Sequence, residues 1–152
     1  AMLLNSDEEA VGRLLKHPRS NITLSDAGAH LTFFNDAGYG LYMLEKWVRE
    51  NNLMSKEKAI YNLTGKQADI YRIDQRGRLV PGQYADMMLI DFDKVGVSKT
   101  YRVNDLPGGS SRLNIDGHGI HSVWINGEKV FNENSIIDNK NLPGKVLRGF
   151  HA

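Results

Sequence analysis

The fold of this chain is decided by one stretch, Gly77-Arg78-Leu79-Val80-Pro81-Gly82-Gln83-Tyr84-Ala85-Asp86-Met87-Met88-Leu89-Ile90-Asp91. Its glycines and proline punctuate the chain, and the apolar run from Met87 to Ile90 then predicts a strand covered on both faces. Asp86 stands at the start of that strand, where we expect its carboxylate to accept backbone N–H groups of a turn. Further on, Val123-Trp124-Ile125 predicts a second strand, and Asn126-Gly127 predicts a two-residue turn because both positions tolerate positive φ. Glu128 to Phe131 is therefore expected to return as the hairpin partner.

The opening third of the chain shows helical spacing instead. Ser6 and Glu9 have the spacing of a capping box, and Pro18 predicts that the first helix ends just before it. A short apolar run, Ile22-Thr23-Leu24, then predicts a buried strand. The loop that follows this strand is Ser25-Asp26-Ala27-Gly28-Ala29-His30.

Two more helices are predicted between residues 38 and 65. The second follows Gly38-Tyr39-Gly40 and presents one apolar face, made of Leu41, Leu44, Trp47 and Val48. The third is capped by Ser55 and closed by Gly65, and its inward residues are Ala59, Ile60 and Leu63. Leu106 to Gly119 is rich in Gly, Ser and Asn and is therefore predicted to be a loop, and Pro143 to Ala152 is predicted to be an extended or partly ordered tail.

Composition narrows the class of protein. The 152 residues suit one compact domain, and 19 basic against 18 acidic side chains give no reason to expect a nucleic-acid partner. No apolar run approaches the roughly 20 residues that span a bilayer, so a transmembrane helix and a membrane partner are not expected. The absence of cysteine excludes disulfides, thiolate zinc sites and cysteine nucleophiles. We therefore expect a globular protein of the cytoplasm.

Two segments, residues 25–30 and 77–91, together resemble the C-terminal end of the metal-dependent amidohydrolase superfamily. The second is similar to its "G-x-L-x-x-G-x-x-A-D" motif. Within the superfamily the pattern is most similar to the N-acyl-D-amino-acid deacylases, or D-aminoacylases. Four further stretches support that choice: Trp47-Val48-Arg49-Glu50, Asp105-Leu106-Pro107-Gly108-Gly109, Val123-Trp124-Ile125-Asn126-Gly127 and Pro143-Gly144-Lys145-Val146-Leu147-Arg148-Gly149.

The resemblance implies a mixed α/β fragment of a larger enzyme, which has a (β/α)₈ barrel and a small β-sandwich. Residues 1–71 would be the last strand and helices of the barrel, and residues 72–152 the C-terminal part of the sandwich and a tail. The predicted elements include one buried strand between helices, and this strand has no partner strands within the chain. A fragment of a larger barrel would account for this, because the missing strands would belong to the rest of the barrel.

Asp26 is the candidate catalytic residue. It directly follows the predicted strand, and barrel enzymes place catalytic groups at the C-terminal ends of their strands. The resemblance implies that its carboxylate takes a proton from metal-activated water and passes it to the leaving amide nitrogen. From the residues alone, the turn or N-cap role is favoured, because it is the commonest use of Ser-Asp shortly before a glycine, and the catalytic role rests on the resemblance. His30 either contacts substrate or bonds to the loop backbone, whereas Asn35 and Asp36 are expected to cap the loop.

A complete metal site is not expected within this chain. The superfamily site needs a His-x-His pair and further ligands, and the sequence contains no His-x-His. Asp26 is at most a single ligand, and zinc sites need three or four protein ligands. His118 and His121 lie three apart, but Gly117 and Gly119 disfavour the helix that would bring them to one face, and in a strand they would point to opposite faces. The parent enzyme would hold zinc or a similar divalent metal, and the fragment none.

The sequence thus predicts part of a metal-dependent hydrolase that cleaves N-acyl-D-amino acids, a small-molecule substrate, with the fragment itself inactive. The alternatives are another C–N hydrolase of the superfamily, such as a cyclic-amide hydrolase or a deaminase, and a stand-alone, non-catalytic, β-rich interaction module. Because the predicted strand lacks neighbours and apolar helix faces lack cover, we also expect a homo-oligomer.

Overall fold

The structure, a computed structural model, describes residues 6–133, 135–138 and 142–148. It is a mixed α/β arrangement in which the helices come first and the strands follow. The helices are α1 (Glu8–Lys16), α2 (Tyr39–Tyr42) with a π-helical continuation (Met43–Glu50), α3 (Lys56–Leu63) and α4 (Gly65–Tyr71), and a 3₁₀ turn lies at Pro107–Gly109. The strands are β1 (Met87–Ile90), β2 (Gly96–Val97), β3 (Tyr101–Val103), β4 (Arg112–Asn114), β5 (Gly117–His118), β6 (Ile120–Ile125), β7 (Glu128–Asn132) and β8 (Ser135–Ile136).

The first helix begins one residue later than the capping-box spacing predicts. Asp7, in extended conformation, is the N-cap, and its Oδ1 accepts the backbone N–H of Ala10 at 3.0 Å. Aspartate is as good an N-cap residue as serine. The acidic Glu8 and Glu9 then lie in the first turn, where their negative charges interact favourably with the positive end of the helix dipole. The C-cap is His17, which confirms the end predicted from Pro18.

The helix Tyr39–Glu50 supplies most of the core. Its second part is π-helical, with the N–H of Asn51 bonding five residues back to the carbonyl of Lys46 at 3.0 Å. The predicted apolar face is confirmed for Leu44, Trp47 and Val48, while Leu41 packs at its edge. The buried core consists of Met43, Leu44, Trp47, Val48, Ala59 and Val95. Helical and β segments therefore share one core, because Val95 comes from the second half of the chain.

The third helix is capped as predicted, since the Ser55 hydroxyl accepts the N–H of Lys58 at 3.2 Å. Ala59 is buried, but Ile60 is 38% exposed, so its predicted inward position is wrong. The predicted C-cap role of Gly65 is also wrong, because Gly65 begins α4. A Cβ at this position would lie 3.0 Å from the ring of Tyr61, so the glycine permits close packing between the two helices.

The buried strand predicted at Ile22-Thr23-Leu24 does not form. The segment has no paired strand beside it, and its carbonyls accept side-chain donors instead. Gln67 Nε2 donates to Ile22 O at 3.1 Å, and the Tyr39 hydroxyl donates to Thr23 O at 3.4 Å. Leu24 is 80% exposed. The prediction fails because a strand needs a neighbouring strand to satisfy its backbone, and the described part of this chain offers none.

The main sheet is antiparallel with strand order β1-β6-β7-β8. The predicted hairpin is confirmed, since Asn126 and Gly127 turn at φ 50° and 84° between β6 and β7. Asp86 has its predicted structural role, because its Oδ1 accepts the N–H of Asn126 at 2.7 Å while Arg76 pairs with its other oxygen. The expectation that β1 is covered on both faces is wrong. This strand lies at the sheet edge, and Met88 and Leu89 are 45% and 55% exposed.

Two small pairs of strands complete the structure. β2 pairs with β5 and β3 with β4, both antiparallel. Because β4 and β5 lie within residues 106–119, the prediction that this whole region is loop is wrong. Strands of two or three residues are too short to show a recognisable alternation. The predicted tail has no helix or strand over residues 142–148, and residues 149–152 lie outside the described residues.

Glu45 and Arg49 of the π-helical segment hold the β2 region against the helices. Glu45 Oε2 accepts the N–H of Val97 at 3.0 Å. Arg49 donates to the carbonyls of Phe92 and Val95 at 3.1 and 2.5 Å. Among the described residues, no helix is long and apolar enough to cross a membrane.

Candidate functional site

The loop formed by residues 25–37 carries the candidate catalytic residue. Asp26 is exposed and adopts left-handed backbone geometry, with φ 54°. The turn beside it is closed by the Ser25 hydroxyl, which accepts the N–H of Ala27 at 3.1 Å. The carboxylate is accessible to a small molecule from solvent. Its position in a polar turn also fits the structural alternative, so its catalytic role stays a prediction.

His30 lies four residues further along the same loop. It also has φ 54°, and its ring stacks on Phe33 with the ring centroids 5.0 Å apart and the planes at 26°. Its carbonyl accepts the N–H groups of Phe33 and Phe34 at 3.0 and 3.1 Å. Because Phe33 is 65% exposed, the two rings form an accessible aromatic surface beside Asp26 in the chain. Substrate contact by His30 stays a prediction.

Asn35 is the buried polar side chain of this loop. Its Oδ1 accepts the N–H of Ala37 at 3.1 Å, which confirms the expected loop cap. Its Nδ2 donates to the carbonyl of Leu113 at 3.1 Å. This long-range bond is not predictable from the local sequence, because the partner lies 78 residues away. Asp36 takes part in the next turn through its carbonyl, which accepts the N–H of Tyr39 at 3.2 Å.

The β3–β4 hairpin beneath the loop is reinforced by charged groups. Arg112 Nε and Nη2 bind the two carboxylate oxygens of Asp105, each at 2.7 Å. This guanidinium holds the pKa of Asp105 below its ordinary value, chiefly through the hydrogen bonds. The Tyr101 hydroxyl donates to Asp116 at 2.8 Å and accepts from Asn114 at 2.7 Å. These bonds link β3, β4 and the connection between them.

The described residues do not form a metal site. No group of three or more His, Cys, Asp or Glu side chains in residues 6–133, 135–138 and 142–148 is placed to hold a metal ion. His118 and His121 lie in different strands, β5 and β6, and His118 Nε2 is 3.9 Å from Glu45 Oε1. Asp26 has no second ligand in this part of the chain. The single carboxylate of Asp26 is not enough for the zinc coordination that the resemblance implies, which needs three or four protein ligands.

Comparison with known protein families decides the identity. The sequence model described as "Amidohydrolase family" matches residues 2–131, which is most of the chain. The chain belongs to the amidohydrolase family. The match runs through both the loop that carries Asp26 and the segment 77–91, from which the resemblance was inferred.

Two curated relatives of this amidohydrolase chain come from Alcaligenes xylosoxydans xylosoxydans. N-acyl-D-aspartate deacylase is 31% identical over 143 residues, which cover 93% of this chain and 26% of that protein. N-acyl-D-glutamate deacylase is 30% identical over 152 residues, which cover 97% of this chain and 28% of that protein. The chain thus spans about a quarter of the length of the curated relatives it matches.

A solved structure supports the same relationship. The N-acyl-D-glutamate deacylase of Bordetella bronchiseptica, crystallised with zinc and a phosphonate inhibitor that mimics the tetrahedral intermediate, is 30% identical to this amidohydrolase chain. The TM-score is 0.56, and the similarity covers 74% of this chain and 21% of that one. The shared sequence and fold therefore extend over both the helical and the β segments.

Proposed function

We propose that this chain is part of a metal-dependent hydrolase that cleaves the amide bond of N-acyl-D-amino acids. The observation that carries the proposal is the family match over residues 2–131, together with two N-acyl-D-amino-acid deacylases 30% and 31% identical over nearly the whole chain. A hydrolase of this class adds water to the amide carbon, breaks the C–N bond, and releases a carboxylate and an amine.

In this proposal Asp26 moves the proton. Its carboxylate accepts a proton as water attacks the amide carbon and donates that proton to the nitrogen that leaves. The position favours such a role, because an exposed carboxylate at the end of an extended segment is open to substrate. His30 and Phe33, whose rings stack, lie in the same loop, where they can contact the acyl or amino-acid part of the substrate.

In the intact enzyme, residues outside this chain would hold the metal. The described residues of this chain contain no complete ligand set, and Asp26 would be at most one ligand of that metal. A zinc-containing relative supports a divalent metal in the parent protein.

We further propose that residues 1–71 belong to the barrel and residues 72–152 to the β-sandwich of the intact protein. The extended segment at Ile22-Thr23-Leu24 supports this placement, because its backbone lacks strand partners among the described residues and neighbouring barrel strands would supply them. The exposed edge strand β1 supports it for the same reason. Assembly as a homo-oligomer and a cytoplasmic location stay predictions.

The curated relatives are deacylases of N-acyl-D-aspartate and N-acyl-D-glutamate, so the test of function starts from acidic substrates. The intact gene product would be purified with zinc and supplied with the N-acetyl derivatives of D-glutamate, D-aspartate, D-leucine and L-glutamate, and with a cyclic amide. Amine release from the D-derivatives, fastest for the acidic pair and at least about 10²-fold slower for L-glutamate, is the expected result. Hydrolysis of the cyclic amide alone would instead establish the second C–N hydrolase class. An intact gene product that hydrolyses none of these compounds would contradict the proposal and favour the non-catalytic module.

A further inference from the structure

The loop that carries Asp26 passes through left-handed backbone geometry at three positions. Asp26 and His30 both have φ 54°, in the left-handed region, and Gly28 between them has φ 98°. Aspartate and histidine are enriched in this region among the residues other than glycine, so these residue types suit the turns of the loop. Because residues 25–37 form no helix or strand, the orientation of the Asp26 carboxylate depends on the contacts that hold this loop against the rest of the chain.

Those contacts converge on one residue of β4. The N–H of Leu113 donates to the carbonyl of Leu31 at 2.7 Å, and the carbonyl of Leu113 accepts from Asn35 Nδ2 at 3.1 Å. Leu113 lies opposite Arg102 in the β3–β4 pair. Both of its backbone groups bond to the loop, so the loop docks on the open edge of β4 as a partner strand would.

Asn35 is the side chain that makes this docking specific. It is 9% exposed, and its amide bonds in two directions, with Nδ2 to Leu113 and Oδ1 to the N–H of Ala37. One planar group thus joins the β4 edge to the turn that leads into the helix at Tyr39. A side chain without both a donor and an acceptor at this distance leaves one of the buried groups unpaired.

The β3–β4 hairpin, to which the loop bonds, has hydrogen bonds of its own on both sides of Leu113. Arg112 and Asp105 form a two-point ion pair across the hairpin, with both N–O distances at 2.7 Å. Arg112 Nη1 also donates to Asn114 Oδ1 at 3.1 Å. These bonds join the residues on each side of Leu113, at the edge to which Asn35 bonds, to each other and to the β3–β4 connection.

From this geometry we infer that Asn35 is a positioning residue for the hydrolysis, acting through Asp26. It holds the loop of residues 25–37 on β4 so that the Asp26 carboxylate points at the reacting amide. The inference rests on the proposed function. A displacement of a catalytic group by about 1 Å can lower a rate about 10²-fold, so loss of this anchor is expected to act on kcat.

The test uses the intact, metal-loaded enzyme and N-acetyl-D-glutamate. Asn35→Asp keeps the size and the Oδ1 acceptor but removes the donor to Leu113, and Asn35→Ser is a second, uncharged variant whose hydroxyl is too short for that bond. Asn104→Asp makes the same chemical change at an exposed position of the β3–β4 connection and is the matched control. Both Asn35 variants are expected to lower kcat at least about 10-fold, with KM within about 3-fold of the wild type.

A double variant separates positioning from a general loss of structure. If Asn35 acts through Asp26, adding Asn35→Asp to Asp26→Asn lowers the residual kcat by less than about 3-fold. Amide exchange in residues 25–37 should also rise at least about 10-fold in Asn35→Asp, with exchange in α3 unchanged. A full additional loss in the Asp26→Asn background, or a kcat fall that only follows the folded fraction, would overturn the inference.

The two proposals fail in different ways. Wild-type enzyme that is active on N-acetyl-D-glutamate, with Asn35 variants equal to Asn104→Asp, overturns the role of Asn35 and leaves the proposed function intact. Wild-type enzyme that hydrolyses no N-acyl-D-amino acid overturns both.

Discussion

Gly119, between β5 and β6, is the position where the fold tolerates a side chain least. It has φ +72°, and a Cβ built there would lie 2.5 Å from both the N and Cα of Val95 and 2.7 Å from the carbonyl carbon of Lys94. These are backbone atoms and cannot rotate away as a side-chain end would. Val95 is fully buried, and its N–H and carbonyl are bound to Asp91 and Arg49 at 2.8 and 2.5 Å.

Gly119→Ala should therefore be strongly destabilising. Left-handed geometry costs an L-residue about 1–2 kcal/mol, and overpacking in a buried contact costs about 1–3 kcal/mol. The expected loss is about 2–5 kcal/mol of the free energy of unfolding. Gly127→Ala is the matched control, because Gly127 has φ +84° but no atom within 4 Å of the added Cβ. It should show only the backbone cost, about 1–2 kcal/mol.

Urea and thermal unfolding of the 152-residue chain, followed by far-ultraviolet circular dichroism, measure the difference between the two variants. Gly119→Ala should unfold at least about 2 °C below Gly127→Ala, since about 1 kcal/mol lowers Tm by about 2–4 °C at this size. Equal midpoints for the two variants would show that the β5–β6 turn does not approach Val95 as described, and would refute the packing of this half of the fold.

Three further predictions concern pH, metal and association. The pKa of Asp105 is held below its ordinary value by Arg112, so the pair stabilises the fold above about pH 4 and loses its effect as pH falls through the lower folded-state pKa. Asp105→Asn should therefore narrow the gap between the urea midpoints at pH 5 and pH 3, and a gap equal to that of the wild type would contradict this effect of the pair. Elemental analysis of the purified chain should find no stoichiometric zinc, and activity assays should detect no amide hydrolysis. One tightly held zinc ion per chain would contradict the prediction that the other metal ligands lie outside this chain, and His118 and His121 would be the first residues to substitute. Light scattering after size exclusion should find a dimer or larger species, because β1 and Leu24 leave an open edge and apolar surface; a 17.1 kDa species from micromolar to near-millimolar concentration would refute this.

Local signals in the sequence predict a large part of the fold. The apolar spacing of Leu44, Trp47 and Val48 predicts the central helix face, and Asn126-Gly127 predicts the hairpin, because both depend on neighbours within a few residues. The end of α1 before Pro18 is predicted for the same reason. These features need no information about distant partners.

The features that sequence analysis misses depend on distant partners. Ile22-Thr23-Leu24 has the composition of a strand, yet it stays unpaired because strand formation requires a neighbour. The apolar run of β1 predicts a strand covered on both faces, yet Met88 and Leu89 are exposed because β1 is an edge strand. Asp26 is predicted as a candidate from its position after an apolar run, but the anchor at Asn35 is invisible locally because Leu113 lies 78 residues away.

The effect of Asp26→Asn on kcat is the most direct test of the proposed proton transfer by Asp26. This variant keeps the shape of the side chain and removes its ability to accept a proton. In the intact, zinc-loaded enzyme with N-acetyl-D-glutamate as substrate, we predict a kcat at least about 10²-fold below that of the wild type, with the metal content changed much less. A variant that hydrolyses the substrate at the wild-type rate would show that Asp26 is a turn residue and contradict the proposed mechanism.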